Sequence, residues 1–275
     1  MTQFKPFRLL LLFLPSLMFL SETFGDEQPI LKIGVYERSF FHEKGPDGIW
    51  HGLDVDIVNG IFAKTQYTYE YVELPWKRTL LLMQSGDIDI ALSAAPLPER
   101  KQYAIFSDTP FRLGHNALYV AKNNLTLFAN INRLADIKNT NLRIGIMRGV
   151  SYSDEFEALK SEPWFQQHLI TVDDPDRLPT MLLLRRVDGY LDSAYDGQRR
   201  VQSNPKAKSQ ISQYKLITSE EEATTYLMFS KHSMSEQAVQ EINAAMRALV
   251  DSGEYQQLLA KYDLLDLQNN TYISK

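Results

Sequence analysis

The pentapeptide "LKIGV" (Leu31 to Val35) returns later in the chain as "LRIGI" (Leu142 to Ile146). Each is a largely apolar run too short for a helix, so each reads as a buried strand. After the first strand, Ile57, Val58, Ile61 and Phe62 fall at helical spacing. "YEYVEL" then reads as a strand, "WKRTLLLMQSG" as a helix ending at glycine, and "DIDIALSA" as another short buried strand. Alternation of this kind predicts parallel-sheet α/β architecture. The position of the echo predicts that two such lobes follow one another.

The chain length fits that reading, because about 250 residues is where one hydrophobic core usually divides into two. The expected division is a first lobe over 26–118, a second over 119–224 and a return to the first lobe over 225–275. The crossovers fall on "ALYVAK" and "TTYLMFS", which read as ordered strands and not as a flexible linker. Two ordered crossovers predict a two-strand hinge. Near the C-terminus, Ser233 and Glu236 have the spacing of a capping box. Ala238, Val239, Ile242, Ala245, Met246, Leu249 and Val250 then form one apolar stripe up to Gly253, and a second helix carries Tyr255, Leu258, Leu259 and Tyr262.

Lys5 and Arg8 precede a leucine- and phenylalanine-rich run that gives way to small and polar residues, the pattern of a cleaved secretory leader over 1–25. A soluble, periplasmic protein is therefore expected. The sequence contains 0 cysteines, which excludes disulfides, thiolate metal sites, a cysteine nucleophile and a lipidated cysteine anchor. The net charge is −5, and removing Lys5, Arg8 and Glu22 makes it one unit more acidic, so nucleic acid is not an expected partner. His42, His51, His115, His168 and His232 have no metal-ligand spacing. With no nucleophile elbow, phosphate loop or dinucleotide fingerprint, no cofactor, metal or catalytic residue is expected. Asp54 with Asp56, and Asp87 with Asp89, sit at element boundaries and read as caps.

Taken in order, "IGV", "GLDVDIV", "PWKRTLLLMQSGDIDIALS", "PERKQYAIFSDTPF", "LADIKNTNLRIGIMRGVSY", "RRVDGYLDS" and "INAAMRALVDSGEYQQLLAKY" resemble bacterial extracytoplasmic solute-binding proteins of family 3, the polar amino acid type. The resemblance spans nearly the whole chain after the leader. It implies the type II periplasmic binding protein fold, in which two lobes close on a small ligand. A small carboxylate-bearing molecule, an inner-membrane ABC permease or a membrane sensor as docking partner, and a monomeric state are the corresponding expectations.

The same resemblance assigns roles at the site. Arg100 of the "PER" segment would hold the ligand's carboxylate as a charge-assisted pair; read without the family, it would pair with Asp108 or another surface acid. Trp76 would form an aromatic wall, with Arg38 and Phe41 in a loop where relatives carry another pocket aromatic. In "RGVSY", Gly149 permits a close turn and Ser151 would clamp the carboxylate from the second lobe, or simply cap a helix. Two positions depart from the family pattern. Only Ser93 retains a hydroxyl in the segment before Arg100, and Ser193 stands where relatives present the aspartate that pairs with an amino group, with Asp192 one residue early. A one-residue shift on a strand reverses its face, so Asp192 need not point into the cleft. Both an α-amino acid and a carboxylate without an amino group fit this pattern. The enzyme alternative is an exported prephenate- or arogenate-type dehydratase on the same scaffold, with Asp192 or Asp196 as proton donor.

Overall fold

The computed structural model describes residues 1–2, 30–38, 40–217, 224–262 and 264. Nearly all of the expected leader lies outside these residues. The first lobe opens with β1 (Leu31–Val35), a small hairpin of β2 (Glu43–Lys44) and β3 (Trp50–His51), α1 (Leu53–Phe62) and β4 (Tyr69–Glu73). It continues with α2 (Trp76–Ser85), β5 (Ile90–Ala94), α3 (Pro98–Lys101) and β6 (Ala104–Phe106). The second lobe comprises β7 (Asn116–Ala121), β8 (Ile144–Met147), α4 (Asp154–Leu159), α5 (Pro163–Gln166), β9 (Leu169–Val172) and α6 (Leu178–Leu183). It ends with β10 (Gly189–Ser193), α7 (Ala194–Ser203), α8 (Pro205–Gln210) and β11 (Ile211–Leu216). The chain then returns through β12 (Tyr226–Ser230), α9 (Glu236–Asp251) and α10 (Glu254–Lys261).

Each lobe is built on a five-stranded sheet, β4-β1-β5-β12-β6 and β9-β8-β10-β7-β11. The echoed strands β1 and β8 occupy the same place, flanked in parallel by β4 and β5 in one sheet and by β9 and β10 in the other. The sheets are mixed and not purely parallel. β12 runs antiparallel to β5 and β6, as β7 does to β10 and β11, because each lies beside a crossover and enters its sheet from the hinge side.

"ALYVAK" and "TTYLMFS" therefore lie largely inside the sheets and not between them. The expected boundary at 118 falls within β7, all six of whose residues belong to the second sheet. Between the lobes, Arg112 and Thr225 form an antiparallel bridge that ties the two passages together.

The helical stripes bury where their spacing requires. Ile57, Val58, Ile61 and Phe62 of α1 pack with Ile242, Met246 and Leu249 of α9 beside Ile33 and Phe229, so the C-terminal helices share the first lobe's core. Each large aliphatic side chain removed from water in this way contributes at most about 1.5–3 kcal/mol. The cap of α9 differs from expectation. Ser235, and not Ser233, accepts the hydrogen bond from the Ala238 amide at 3.1 Å. Clusters on the two faces of the second sheet, one around Phe128, Ile144 and Phe165 and one around Tyr119, Leu178 and Tyr190, form that lobe's core.

Candidate functional site

Ligands of open α/β sheets bind beyond the carboxyl ends of their parallel strands. Here those ends face one another: Tyr36 and Arg38 follow β1, Ser93 and Ala95 lie at the end of β5, Met147 ends β8 and Val150, Ser151 and Tyr152 follow it, and Asp192 and Ser193 close β10. Together with Trp76, Arg100 and Arg200 they enclose a cavity of about 100 Å³ between the lobes. Arg38, Trp76, Ser93, Arg100, Ser151 and Asp192, all expected at the site, line it.

Arg100 enters from α3, whose Pro98 starts the helical turn. Its side chain is 5% exposed. Nη1 donates to the Ala95 carbonyl and Nη2 to the Gly149 carbonyl, each at 3.0 Å. No carboxylate pairs with it among the described residues, and Asp108 pairs instead with Arg247. Burial pushes the Arg100 guanidinium down from its ordinary proton affinity. It is thus a buried cation held by neutral dipoles, an arrangement suited to an incoming anion.

Trp76, at the start of α2, donates Nε1–H to the same Gly149 carbonyl at 3.0 Å and lies 5.7 Å from the Arg100 guanidinium carbon. Gly149 adopts φ 81°, a backbone region costly for residues with a Cβ. That turn presents its carbonyl to both first-lobe donors. Ser151 lines the cavity, but the cap of the six-residue α4 is Ser153, which accepts the Phe156 amide at 3.0 Å. Ser93 also sits at positive φ, 54°. Its Oγ accepts from Arg112 at 3.1 and 2.5 Å and meets Thr225 Oγ1 at 2.9 Å, contacts that hold a conformation of this cost.

Asp192 does reach the cavity. Its Oδ1 accepts the Ser193 amide at 2.9 Å, and its Oδ2 accepts Arg200 Nη1 at 2.5 Å. Arg200 is anchored further by Asp176 at 2.6 Å. Burial, reinforced by Asp196, outweighs the pull of Arg200 and raises the Asp192 carboxyl to about 6. Arg38 pairs with Asp196 across the cleft. Burial would raise Asp196, but Arg38, Arg200 and Arg112 together pull it below the usual carboxylate range.

Phe41 lies outside the cleft cavity. It is buried beneath the Arg112 and Arg38 guanidinium carbons, at 4.0 and 4.6 Å, and lines a neighbouring hinge-side cavity of about 130 Å³. Asp54 is no exposed cap either. It is fully buried, 3.3 Å from Arg112 Nε and 3.8 Å from His42 Nε2.

Arg200, Arg112 and His42 were not singled out from the sequence. The Asp196–Arg200 spacing of one helical turn was the available signal, but on most helices that spacing marks a solvent-exposed pair. Among the described residues no group of three or more His, Cys, Asp or Glu side chains could hold a metal. The lobes also meet through Lys160 with Glu99 at 3.1 Å, and through Tyr195 against Phe40 and Phe41.

The sequence pattern of bacterial extracellular solute-binding proteins, family 3, matches residues 31–264. The chain belongs to that family. It is 24% identical over 232 residues to a probable histidine-binding protein of Neisseria gonorrhoeae, covering 81% of this chain and 78% of that protein. Among solved structures, an ancestral arginine-binding protein bound to arginine aligns with TM-score 0.69 at 22% identity, over 85% of this chain and 97% of that one. An ancestral amino acid-binding protein described as a precursor of cyclohexadienyl dehydratase aligns with TM-score 0.65 at 18% identity, over 85% and 94%. These likenesses establish the type II periplasmic binding protein fold of the family.

Proposed function

We propose that this family member is a periplasmic, non-catalytic solute-binding protein that captures a small carboxylate-bearing polar ligand between its lobes and delivers it to an ABC permease. The observation that carries this reading is Arg100, a guanidinium buried at the lobe interface with backbone carbonyls and no acid as partners. A bound carboxylate would complete its hydrogen bonding while contacts from both lobes favour closure. The amino-acid-binding relatives support the ligand size and the transport role.

A second reading, an exported dehydratase-like enzyme, draws on Asp192, whose carboxyl at about 6 is suited to proton donation near neutral pH. Its firm pairing with Arg200 favours a structural charge instead. A thermal-shift screen of amino acids, hydroxy and oxo acids, dicarboxylates and polyamines decides between them, because a ligand bound only by the native state raises Tm. The transport reading expects a stabilising carboxylate recovered unchanged. A hit that is consumed supports the enzyme, and no carboxylate hit on folded protein overturns the proposal.

A further inference from the structure

We infer that the ligand is a small carboxylic acid bearing hydroxyl or oxo groups and no ammonium, because Arg200 occupies the one carboxylate that lines the cavity. This inference rests on the solute-binding reading and narrows it.

Among the charged side chains lining the cavity, three are cations, Arg38, Arg100 and Arg200, and one is an anion, Asp192. Asp196, just outside the lining, neutralises Arg38. Asp192 and Asp176 together neutralise Arg200. Arg100 alone has no carboxylate within ion-pairing distance among the described residues, so it is the cation placed to receive the ligand's carboxylate.

A zwitterion meets a different situation. Its carboxylate could join Arg100, but its ammonium would need an acid, and both Asp192 oxygens are engaged, one by the Ser193 amide and the other by Arg200. Where Asp192 could be approached, Arg200 stands beside it with like charge. An ammonium there would have to share Asp192 with Arg200, in a pair whose side chains are only 7% and 11% exposed, against the like charge of the guanidinium. Ser151 also lines the cavity, and its hydroxyl is a group able to meet a neutral hydroxyl or carbonyl on the ligand.

The test is isothermal titration of the wild-type protein with matched pairs on one carbon skeleton: glycolate against glycine, lactate and pyruvate against alanine, and 2-hydroxybutyrate against 2-aminobutyrate. The hydroxy or oxo acid is expected to bind at least about tenfold more tightly than its amino partner, a difference of about 1.4 kcal/mol. Equal or tighter binding of the amino acids overturns the inference and leaves the solute-binding reading intact. If neither series binds but a carboxylate that carries an ammonium, or that lacks hydroxyl and oxo groups, does in the broader screen, the inference likewise fails alone. If no carboxylate of any kind binds folded protein, the solute-binding reading falls with it.

Two variants probe the cause. Arg200→Gln frees Asp192 and should narrow or reverse the preference. Ser193→Asp places an acid at the end of β10, where Ser193 now caps α7 by accepting the Asp196 amide at 3.2 Å. Aspartate serves as well at a helix N-cap, so this variant keeps the fold and should gain affinity for the amino acids. An unchanged preference in the folded Ser193→Asp protein contradicts the role given to that wall of the site.

Discussion

His42 predicts a specific acid sensitivity of the fold. Its ring lies 3% exposed, with Nδ1 against the Tyr36 carbonyl and Nε2 3.8 Å from Asp54. Burial, followed by the positive charges of Arg38 and Arg112, lowers its pKa from 6.5 to about 3. The unfolded chain therefore takes up this proton first as pH falls. The stability that neutral His42 confers is complete above about 6.5 and is lost as pH falls from there towards about 3. At one proton and about 1.4 kcal/mol per pH unit, the loss reaches about 2.7 kcal/mol by about pH 4.5. His42→Gln has no proton to gain and retains a donor for the Tyr36 carbonyl. Urea unfolding of both proteins at about pH 7.5 and pH 4.5 isolates this contribution, since every other titrating group is shared. The variant should lose about 2–3 kcal/mol less than the wild type over that interval. An equal loss in both proteins would refute the reasoning.

Removing the charge of Asp196 tests the inter-lobe pair. Asp196→Asn leaves the partly buried Arg38 without its carboxylate, a change that costs about 3–5 kcal/mol when the cation cannot escape. Opening the cleft returns Arg38 to water, so the variant should show a larger radius of gyration by small-angle scattering, and an unchanged profile would count against a closing role. Gly197→Ala would bring a Cβ within 2.3 Å of the Tyr119 ring. That ring is stacked on Tyr190 with centroids 5.1 Å apart, and its hydroxyl donates to the Ala194 carbonyl at 2.6 Å. Overpacking there should exceed the gain in helix propensity, leaving a net loss of about 1–2 kcal/mol in chemical denaturation; unchanged stability would show that the ring yields. Gly149→Ala must hold alanine at φ 81°, so about 1 kcal/mol of strain should weaken ligand binding several-fold in a titration, whereas wild-type affinity would show that the turn relaxes.

Much of the fold was legible because strand and helix periodicities are local. "LKIGV" and "LRIGI" became equivalent central strands, and the stripe from Ala238 to Leu249 became the buried face of α9. The hinge was not legible from composition, since β7 carries the same alanine, leucine, tyrosine and valine whether it spans the lobes or lies in one sheet. Its position emerges only from pairing with β10 and β11.

The site divides in the same way. Arg100, Trp76 and Gly149 follow ordered motifs, and the structure brings them together on one carbonyl. Arg200 and Arg112 look like ordinary helix and loop arginines until tertiary contacts bury them against Asp192, Asp54 and Phe41. Burial of a charge depends on what packs over it, which no local spacing encodes.

The central claim is that Arg100 grips a ligand's carboxylate as the lobes close. The most direct measurement is titration of wild-type and Arg100→Met protein with the carboxylate that stabilises the wild type most. Methionine preserves an unbranched apolar stem beside Trp76 while removing the charge, and near-ultraviolet circular dichroism can establish that the variant remains folded. The account predicts at least about a tenfold rise in Kd, since a buried charge-assisted pair contributes more than about 1.4 kcal/mol. An unchanged Kd in the folded variant would contradict it.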